Sequence, residues 1–272
     1  MKIRILTDNK AKDGLKGEWG LSVYIEHNGR RMLLDTGASP LFAGNAEKCG
    51  VDLSNVDLAF LSHAHYDHSN GFGEFFRLNK KAPLYLNSSC KENCYGRRWI
   101  FSKYIGIKRG YSSTYRNRLI YTDGLTEVEK DVFLLPHGDA DYTVYGRKNG
   151  LFQKNNRKWS YDSFNHEQSL VIKTEKGLVI FNSCCHTGAD NIIREASEAF
   201  SGEKILALIG GFHLYKTSDG EVLALAKEIE ETGIEKIYTG HCTGDKAFKI
   251  LKDRLGDKAE ELYAGMEINF QQ

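Results

Sequence analysis

Four side chains that can bind a metal ion lie within the six-residue segment HAHYDH, namely His63, His65, Asp67 and His68. Alternate residues of an extended segment point the same way, so His63 and His65 can hold one ion together. The turn that follows can direct Asp67 and His68 to a neighbouring position. Imidazole and carboxylate groups suit zinc, manganese and iron. A histidine-rich set with one carboxylate favours a catalytic zinc site over a closed structural one, because water can complete the shell.

Three further histidines follow apolar runs that we predict to be strands. They are His186, His213 and His241. In open α/β architectures, ligands bind at the carboxyl ends of the strands, where the loops converge. Histidines scattered by chance over a surface would not show this order. The sequence therefore predicts that several strands deliver imidazoles to one metal site.

The elements that position these residues follow from hydrophobic periodicity and turn signals. The strand at 57–61 runs directly into His63, and an Asn-Gly pair within 27–30 predicts a hairpin of strands 20–26 and 31–35. A helix is predicted between Pro40 and Gly50, and a short strand at 83–86. The second half predicts a hairpin (169–174 and 178–182), helices (189–200, 219–232 and 245–254) and strands (204–209 and 235–239). Sheets covered by helices are the expected architecture.

The middle of the chain, approximately 87–165, has weak periodicity, and only 118–122 and 132–135 look like strands. We predict an insertion or cap on the main domain. Residues 91–118 carry eight basic side chains and one acidic one, whereas the rest of the chain is acidic in balance. This block indicates an anionic ligand, although a solvated surface or an oligomer contact would also explain it. The candidate substrate-binding residues are Arg97, Arg98, Lys103 and Arg109.

The length of 272 residues fits a single domain, and no stretch is apolar enough for a membrane span. The first residues lack the apolar core of a signal peptide, so we expect a reduced, cytoplasmic protein with no membrane partner. Three of the six cysteines, Cys184, Cys185 and Cys242, flank the downstream histidines. They are redox-active groups, soft metal ligands, or small buried apolar residues, and we favour the last interpretation.

The segment HAHYDH resembles the H-x-H-x-D-H signature of the metallo-β-lactamase fold superfamily. Asp35, in LLDTG, is similar to that family's first motif, His186 to its third and His241 to its last. The resemblance implies an α/β (α+β) fold, a four-layer αββα sandwich in which helices cover two mixed sheets. It implies a dinuclear site in which one ion is bound by His63, His65 and His186. The other ion would be bound by Asp67, His68 and His241, with Asp35 supporting the site from behind.

One departure from the family concerns a bridging aspartate that usually follows the third motif. Here that strand ends in GGFHL at 210–214, so His213 stands at the expected place and is either a metal ligand or a substrate contact. A narrower resemblance lies in DN (8–9), EWGLS (18–22), CHTG (185–188), GGFHL and GHCTG (240–244). These segments look like dihydropterin/ribofuranosylaminobenzene-phosphate synthase-like proteins, which implies an aromatic or pterin-like phosphate substrate.

The resulting hypothesis is a metal-dependent hydrolase with two divalent ions, zinc first and manganese or iron as alternatives. Metal-activated hydroxide would attack an ester, lactone or phosphoester of a small anionic substrate. Asp67 would orient the hydroxide, and His166 would protonate the leaving group. The alternative for His166 is an exposed histidine just before a strand.

Two other functions stay open. A phosphodiesterase or nuclease would use the basic block as a groove for nucleic acid. However, family nucleases carry a large extra domain, so we do not expect nucleic acid as the partner. A protein that binds metal or ligand without turnover is the other alternative. The sequence leaves the oligomeric state open.

Overall fold

A computed structural model describes residues 1–98, 101–138 and 141–270. The strands of the first half are β1 (Lys2–Thr7), β2 (Ser22–His27), β3 (Arg30–Leu34), β4 (Leu58–Phe60), β5 (Leu84–Asn87), β6 (Cys94–Arg98), β7 (Phe101–Tyr104), β8 (Leu119–Thr122), β9 (Thr126–Glu129) and β10 (Val132–Pro136). The later strands are β11 (Leu151–Asn155), β12 (Lys158–Tyr161), β13 (Gln168–Thr174), β14 (Gly177–Phe181), β15 (Ile205–Gly210), β16 (Lys236–Thr239), β17 (Ala259–Glu261) and β18 (Glu267–Asn269).

The α-helices are α1 (Leu41–Lys48), α2 (Tyr66–Ser69), α3 (Phe72–Leu78), α4 (Tyr111–Thr114), α5 (Thr143–Asn149), α6 (Ala189–Ala199), α7 (Asp219–Glu231) and α8 (Asp245–Leu255). Short 3₁₀ helices cover Leu53–Asn55, Arg116–Arg118, His241–Thr243 and Gly256–Lys258. Within the described ranges, no helix combines the length and the apolar character needed to cross a bilayer.

Two mixed seven-stranded sheets form the centre of the molecule. The first has the order β18-β1-β2-β3-β4-β5-β8, and the second has the order β17-β16-β15-β14-β13-β10-β9. In the first sheet, β3, β4, β5 and β8 run parallel, and in the second, β14, β15, β16 and β17 do. The parallel strands bring their carboxyl ends to one edge of each sheet, which is where the histidines lie.

Alternation along the strands decides which residues fill each layer. Ile5, Phe60 and Phe181 belong to a core between the two sheets, whereas the strand neighbours of such residues face the helices. Leu33 and Ala59 lie in a cluster with residues of α1 and α3, and Ile180 and Leu208 lie in a cluster with residues of α6, α7 and α8. The order of layers is therefore αββα, and the predicted fold is confirmed.

Local sequence signals account for several boundaries. Asn28 and Gly29 both have positive φ angles, 48° and 77°, as the tight turn between β2 and β3 requires. Ser218 and Glu221 form a capping box at the start of α7. Gly233 follows α7 with a φ of 75°. The turn at Asn28 and Gly29 was predicted from its residue types.

The segment 87–165 divides between the main sheets and a separate small sheet. β8 lies at one edge of the first sheet, and β9 and β10 lie at one edge of the second. The strands β12, β11, β6 and β7 form the third, antiparallel sheet. Sequence patterns missed this third sheet because many of its residues are polar and at least partly exposed, which removes the alternation that marks a strand. That the whole segment acts as a cap remains a prediction.

Candidate metal centre and substrate cleft

The HAHYDH segment begins at the third residue after β4, and its last three residues form the start of α2. The ring centroids of His63 and His65 lie 4.7 Å apart. His186 reaches the same place from the loop after β14, where its backbone N–H donates to Oε1 of Glu167 at 2.8 Å. These three histidines each offer one ligand atom, and the three atoms lie within 4.8 Å of one another. The structure thus brings together the first group of three candidate ligands.

The second group meets around the carboxylate of Asp67. Its Oδ2 lies 3.8 Å from Nε2 of His68 and 3.6 Å from Nε2 of His241. His68 donates from Nδ1 to Asp35 at 2.9 Å, and Nδ1 of His241 lies 3.0 Å from Oδ1 of Asn9. Because both acceptors are oxygens, each ring carries its proton on Nδ1 when neutral. Each Nε2 is then a free electron donor directed toward Asp67.

Asp35 lies behind the two groups of candidate ligands, and hydrogen bonds connect it to both. It is fully buried, and its Oδ1 accepts the backbone N–H of Ser62 at 2.8 Å. The hydroxyl of Ser62 donates to Oδ2 of Asp35 at 2.6 Å and lies 2.8 Å from Nδ1 of His63. Since the Ser62 hydroxyl donates its hydrogen bond to the carboxylate, it accepts a hydrogen bond from Nδ1 of His63. This chain of hydrogen bonds leaves Nε2 of His63 with a lone pair.

Several buried ring nitrogens at this site have no hydrogen-bond partner. They are Nε2 of His63, of His65 and of His241, and both ring nitrogens of His186 and His213. A buried polar atom without a partner is costly, so the set fits a group that is bound there. Burial, and then the neighbouring imidazoles, lower the pKa of His63 and of His186 well below the ordinary value. Both rings are therefore neutral, which is the form that binds metal ions.

His213 lies beside the first group, with its ring centroid 4.3 Å from that of His186. The approach depends on Gly210, which has a φ of 152°. A Cβ at this position would stand 1.7 Å from the carbonyl oxygen of Asn182. Glycine thus lets the end of β15 pack against the loop that carries His186.

A third set of polar residues, which the sequence analysis missed, lies behind His65. Oδ2 of Asp162 is 3.8 Å from Nε2 of His65 and 3.3 Å from Nε2 of His166, and Cys94 completes the cluster. Burial opposes ionisation of Asp162, but the two histidines hold the pKa of its carboxyl below the ordinary value. No periodicity or motif around Asp162 indicated this role.

His166 differs from both interpretations drawn from the sequence. It is fully buried, so it is not an exposed histidine. Its Nδ1 accepts the backbone N–H of Ala64 at 3.2 Å, and its Nε2 faces Asp162. Since His166 does not line the cleft described next, it is not placed to protonate a leaving group directly.

A cleft of about 750 Å³ opens above the histidines. His65, Asp67, His186 and His213 line its floor, together with Cys184 and Cys242. The cations along its walls are Arg97, Lys103, Lys148 and Lys216, and the aromatic rings include Trp19, Tyr66 and Tyr215. Among these wall residues, the sequence analysis had proposed Arg97 and Lys103 as substrate contacts.

The other two predicted substrate contacts are placed differently. Arg109 does not line this cleft; its guanidinium lies over the ring of Tyr104, 4.6 Å from the centroid, and donates to the hydroxyl of Tyr95. Its role as a substrate contact therefore stays a prediction, and in this structure tyrosines hold the side chain beyond the cleft wall. The side chain of Arg98 lies outside the described residues.

Comparison with known proteins agrees with this arrangement. The family model for the metallo-beta-lactamase superfamily matches residues 20–147. A curated relative from Methanocaldococcus jannaschii, 7,8-dihydropterin-6-methyl-4-(beta-D-ribofuranosyl)-aminobenzene-5'-phosphate synthase, is 30% identical over 282 residues, covering 92% of this chain and 90% of the relative.

Two solved structures extend the comparison. Tm1679, described as a metal-dependent hydrolase of the beta-lactamase superfamily, has a TM-score of 0.85, is 31% identical and is matched over 100% of both chains. YhfI from Bacillus subtilis, a metallo-beta-lactamase fold protein, has a TM-score of 0.61 at 14% identity, covers 98% of this chain and 99% of its own, and shares the fold alone. The αββα layers, the histidine groups and these similarities together show that the chain belongs to the metallo-beta-lactamase superfamily.

Proposed function

We propose that the protein is a metal-dependent hydrolase that binds two divalent ions. Zinc is the first candidate, and manganese and iron are the alternatives. One ion would be held by His63, His65 and His186, and the other by Asp67, His68 and His241. The observation that carries the proposal is the set of buried, unpartnered ring nitrogens at the floor of an open cleft. Imidazole nitrogens of this kind are ligands that a divalent ion satisfies.

When bound, such ions lower the pKa of water and stabilise the negative charge that develops during hydrolysis. The protein's own contribution begins with Asp67, which lines the cleft. Burial opposes its ionisation, but the neighbouring imidazoles of His68 and His241 hold the pKa of its carboxyl below the ordinary value. An ionised Asp67 can accept a hydrogen bond from the attacking water and fix its orientation.

The proposed substrate is an ester, lactone or phosphoester of a small anionic molecule with an aromatic part. Four cations line the cleft, and the rings of Trp19 and Tyr215 stand on the same wall with centroids 5.3 Å apart. Cations bind phosphate oxygens, and aromatic rings stack on flat groups. The name of the M. jannaschii relative contains a reduced pterin and a ribose phosphate. This similarity favours an aromatic or pterin-like phosphate within the class.

The test is metal content per chain of protein purified without chelator, measured together with hydrolysis of a generic phosphodiester and a generic lactone. We expect about two ions per chain and turnover of one probe, with turnover lost in His65→Ala. His27→Ala, which removes a buried histidine of β2 that belongs to neither group of candidate ligands, is the matched control and should keep turnover. No bound metal, and none taken up from zinc, manganese or iron salts, would overturn the proposal.

A second candidate is bond formation, because the 30% identical relative is named a synthase. Incubation with a reduced pterin and an aminobenzene riboside phosphate, followed by mass spectrometry, separates the two candidates: a joined product favours the synthase. Strongly salt-dependent binding of RNA would favour the nuclease instead. We keep the cytoplasmic location as a prediction; the free state of all six cysteines supports it.

A further inference from the structure

Two thiols lie among the histidines without a part in the function proposed above. The side chains of Cys184 and Cys242 are 2% and 1% exposed, and both line the floor of the cleft. Their sulfur atoms are 3.4 Å apart and are not joined. Cys185 is equally buried but points the other way, with its Sγ 3.6 Å from the carbonyl oxygen of Asn182 and its side chain in the core under α6. Of these two adjacent thiols, Cys184 is therefore the one that points toward the histidines.

The sulfur of Cys184 lies between the two groups of candidate ligands. It is 3.2 Å from Nε2 of His68, in the second group. It also lies within 4.8 Å of ligand atoms of His63 and His68, of His186 and His213, and of His241 and Cys242. These neighbours include members of both groups. No candidate ligand of one group alone would show this set of distances.

The surroundings of Cys184 are those of a ligand and differ from those of an apolar packing residue. A packing thiol contacts carbon atoms, whereas this one faces ring nitrogens, most of which have no other partner. Zinc binds thiolate sulfur at ~2.3 Å and imidazole nitrogen at ~2.0–2.1 Å, so a sulfur and a nitrogen on one ion lie at most about 4.4 Å apart. The 3.2 Å between Cys184 Sγ and His68 Nε2 falls within that limit.

Apart from Cys184, no metal-binding side chain with a negative charge lies between the two groups in the part of the cleft that the structure describes. Asp67 is the only carboxylate that lines it, and Asp67 faces His68 and His241, both in the second group. The end of β15 supplies His213 where an aspartate was expected. An anionic donor shared by two adjacent ions reduces their mutual repulsion, and a thiolate at the position of Cys184 would supply one.

We infer that Cys184 is a metal ligand whose thiolate is shared by the two metal positions. The inference rests on the proposed dinuclear site and names the group that completes it. The thiol gives up its proton to solvent when the ions bind. Cys242 is a positioning residue: its sulfur accepts the backbone N–H of His213 at 3.2 Å and contacts the sulfur of Cys184.

The test compares the full chain, Cys184→Ser and Cys185→Ser after loading with Co²⁺, which reports thiolate binding through a sulfur-to-cobalt charge-transfer band. Cys185→Ser is a matched control because the two thiols are adjacent and equally buried. We expect the band in the wild type and in Cys185→Ser, and its loss in Cys184→Ser. We also expect Cys184→Ser to bind the second ion more weakly by a factor larger than the roughly 10–100-fold that loss of an outer hydrogen-bond partner costs. Cys184→Ala, checked for folding by circular dichroism, replaces the serine variant if that one does not fold.

A second readout needs no variant. Zinc K-edge X-ray absorption of the native protein should show a sulfur neighbour at ~2.3 Å from the bound ion. A charge-transfer band that persists in Cys184→Ser, or a Cys184–Cys242 disulfide in the metal-loaded protein, would overturn the inference. Two bound ions without any such band in the wild type would overturn it and leave the hydrolase proposal standing. Failure of the wild type to bind Co²⁺ or Zn²⁺ would overturn both.

Discussion

Oδ2 of Asp162 stands 3.8 Å from Nε2 of His65 and 3.3 Å from Nε2 of His166. The other oxygen of the same carboxylate accepts the side-chain amide of Gln153 and the backbone N–H of Phe164, each at 2.9 Å. The carboxylate is thereby fixed on both sides. The carboxylate faces Nε2 of His65 at a distance longer than a hydrogen bond, so it can orient that ring only after a small shift that brings the two atoms together.

Asp162→Asn should weaken metal binding while it leaves the fold intact. The amide keeps the size of the carboxylate but places a donor where His65 and His166 need an acceptor. Loss of such an outer partner typically costs 10–100-fold in metal affinity or activity. Titration of the metal-free protein with Zn²⁺ against a competing chelator measures the change. An unchanged affinity, in a variant with a wild-type melting curve, would show that Asp162 does not orient His65.

Asp35→Asn should destabilise even the metal-free protein. The buried carboxylate accepts three hydrogen bonds, from the backbone and hydroxyl of Ser62 and from His68. An amide in its place turns one oxygen into a donor, which leaves a buried donor unpaired at a cost of about 1–3 kcal/mol. Urea unfolding in the presence of chelator gives this free energy. Asp57→Asn is the control, since Asp57 pairs with Lys81 at the surface and should cost less than about 1 kcal/mol.

Arg97→Gln should raise the KM for an anionic substrate. The guanidinium lies over the ring of Trp159, 4.4 Å from the centroid, and lines the cleft. A hydrogen bond to a charged group contributes about 1.5–3 kcal/mol, which corresponds to a roughly tenfold or larger rise in KM. Steady-state kinetics with one phosphoester and one neutral ester would separate a charge effect from a general loss.

The matched control is Arg109→Gln, which removes the same charge from the same basic block. Arg109 is held against Tyr104 and Tyr95 and does not line the cleft. Its variant should keep the wild-type KM. Equal effects of the two substitutions would mean that the block acts through its overall field and that Arg97 has no direct contact with substrate.

Glu195 should make stability depend on pH in the acid range. It accepts hydrogen bonds from His137 and Tyr142. Burial opposes its ionisation, but His137 and Tyr142 hold the pKa of the carboxyl below the ordinary 4.5. Because the pKa is lower in the folded chain, the ionised form stabilises the fold above pH 4.5, and this contribution is lost as the pH falls through the folded value.

The measurement for Glu195 is the free energy of unfolding of the wild type and Glu195→Gln, from neutral pH to well below 4.5. The difference should be largest near neutrality and should shrink toward zero in acid. Glu198→Gln, in an exposed part of the same helix, controls for the loss of one negative charge. A difference that grows in acid would contradict the assignment of Glu195 as an ionised acceptor.

Clear periodicity predicted several strands of the two large sheets and the helices of the second half, whereas the arrangement in two sheets was implied by the family resemblance. Ile192 and Ile193 in α6, for example, lie on one buried face of the helix. The HAHYDH segment was informative for a different reason: four ligand-type side chains within one short segment need no tertiary structure to be seen together. The structure places His186 and His241 beside them, at the ends of β14 and β16.

The residues that the sequence did not reveal come from segments that meet only in the folded chain. Asp162 precedes β13 and reaches His65 across 97 positions of sequence, and no local pattern links the two. Lys148 and Lys216 join Arg97 in the cleft from α5 and from the loop after β15. The packing role favoured for Cys184 followed from its residue type, because the direction of a thiol is not readable from sequence.

The small third sheet has a consequence for how this scaffold can change. Arg97, Lys103 and Leu151, on strands of that sheet, form part of the cleft wall, whereas the candidate metal ligands come from loops of the two large sheets. Part of the recognition surface is therefore encoded apart from the candidate ligands. Replacing the hairpin of β6 and β7, with Cys94 kept behind His65, would alter which molecules enter the cleft while the candidate ligands stay in place. The architecture allows new specificities to arise by local exchange of a hairpin.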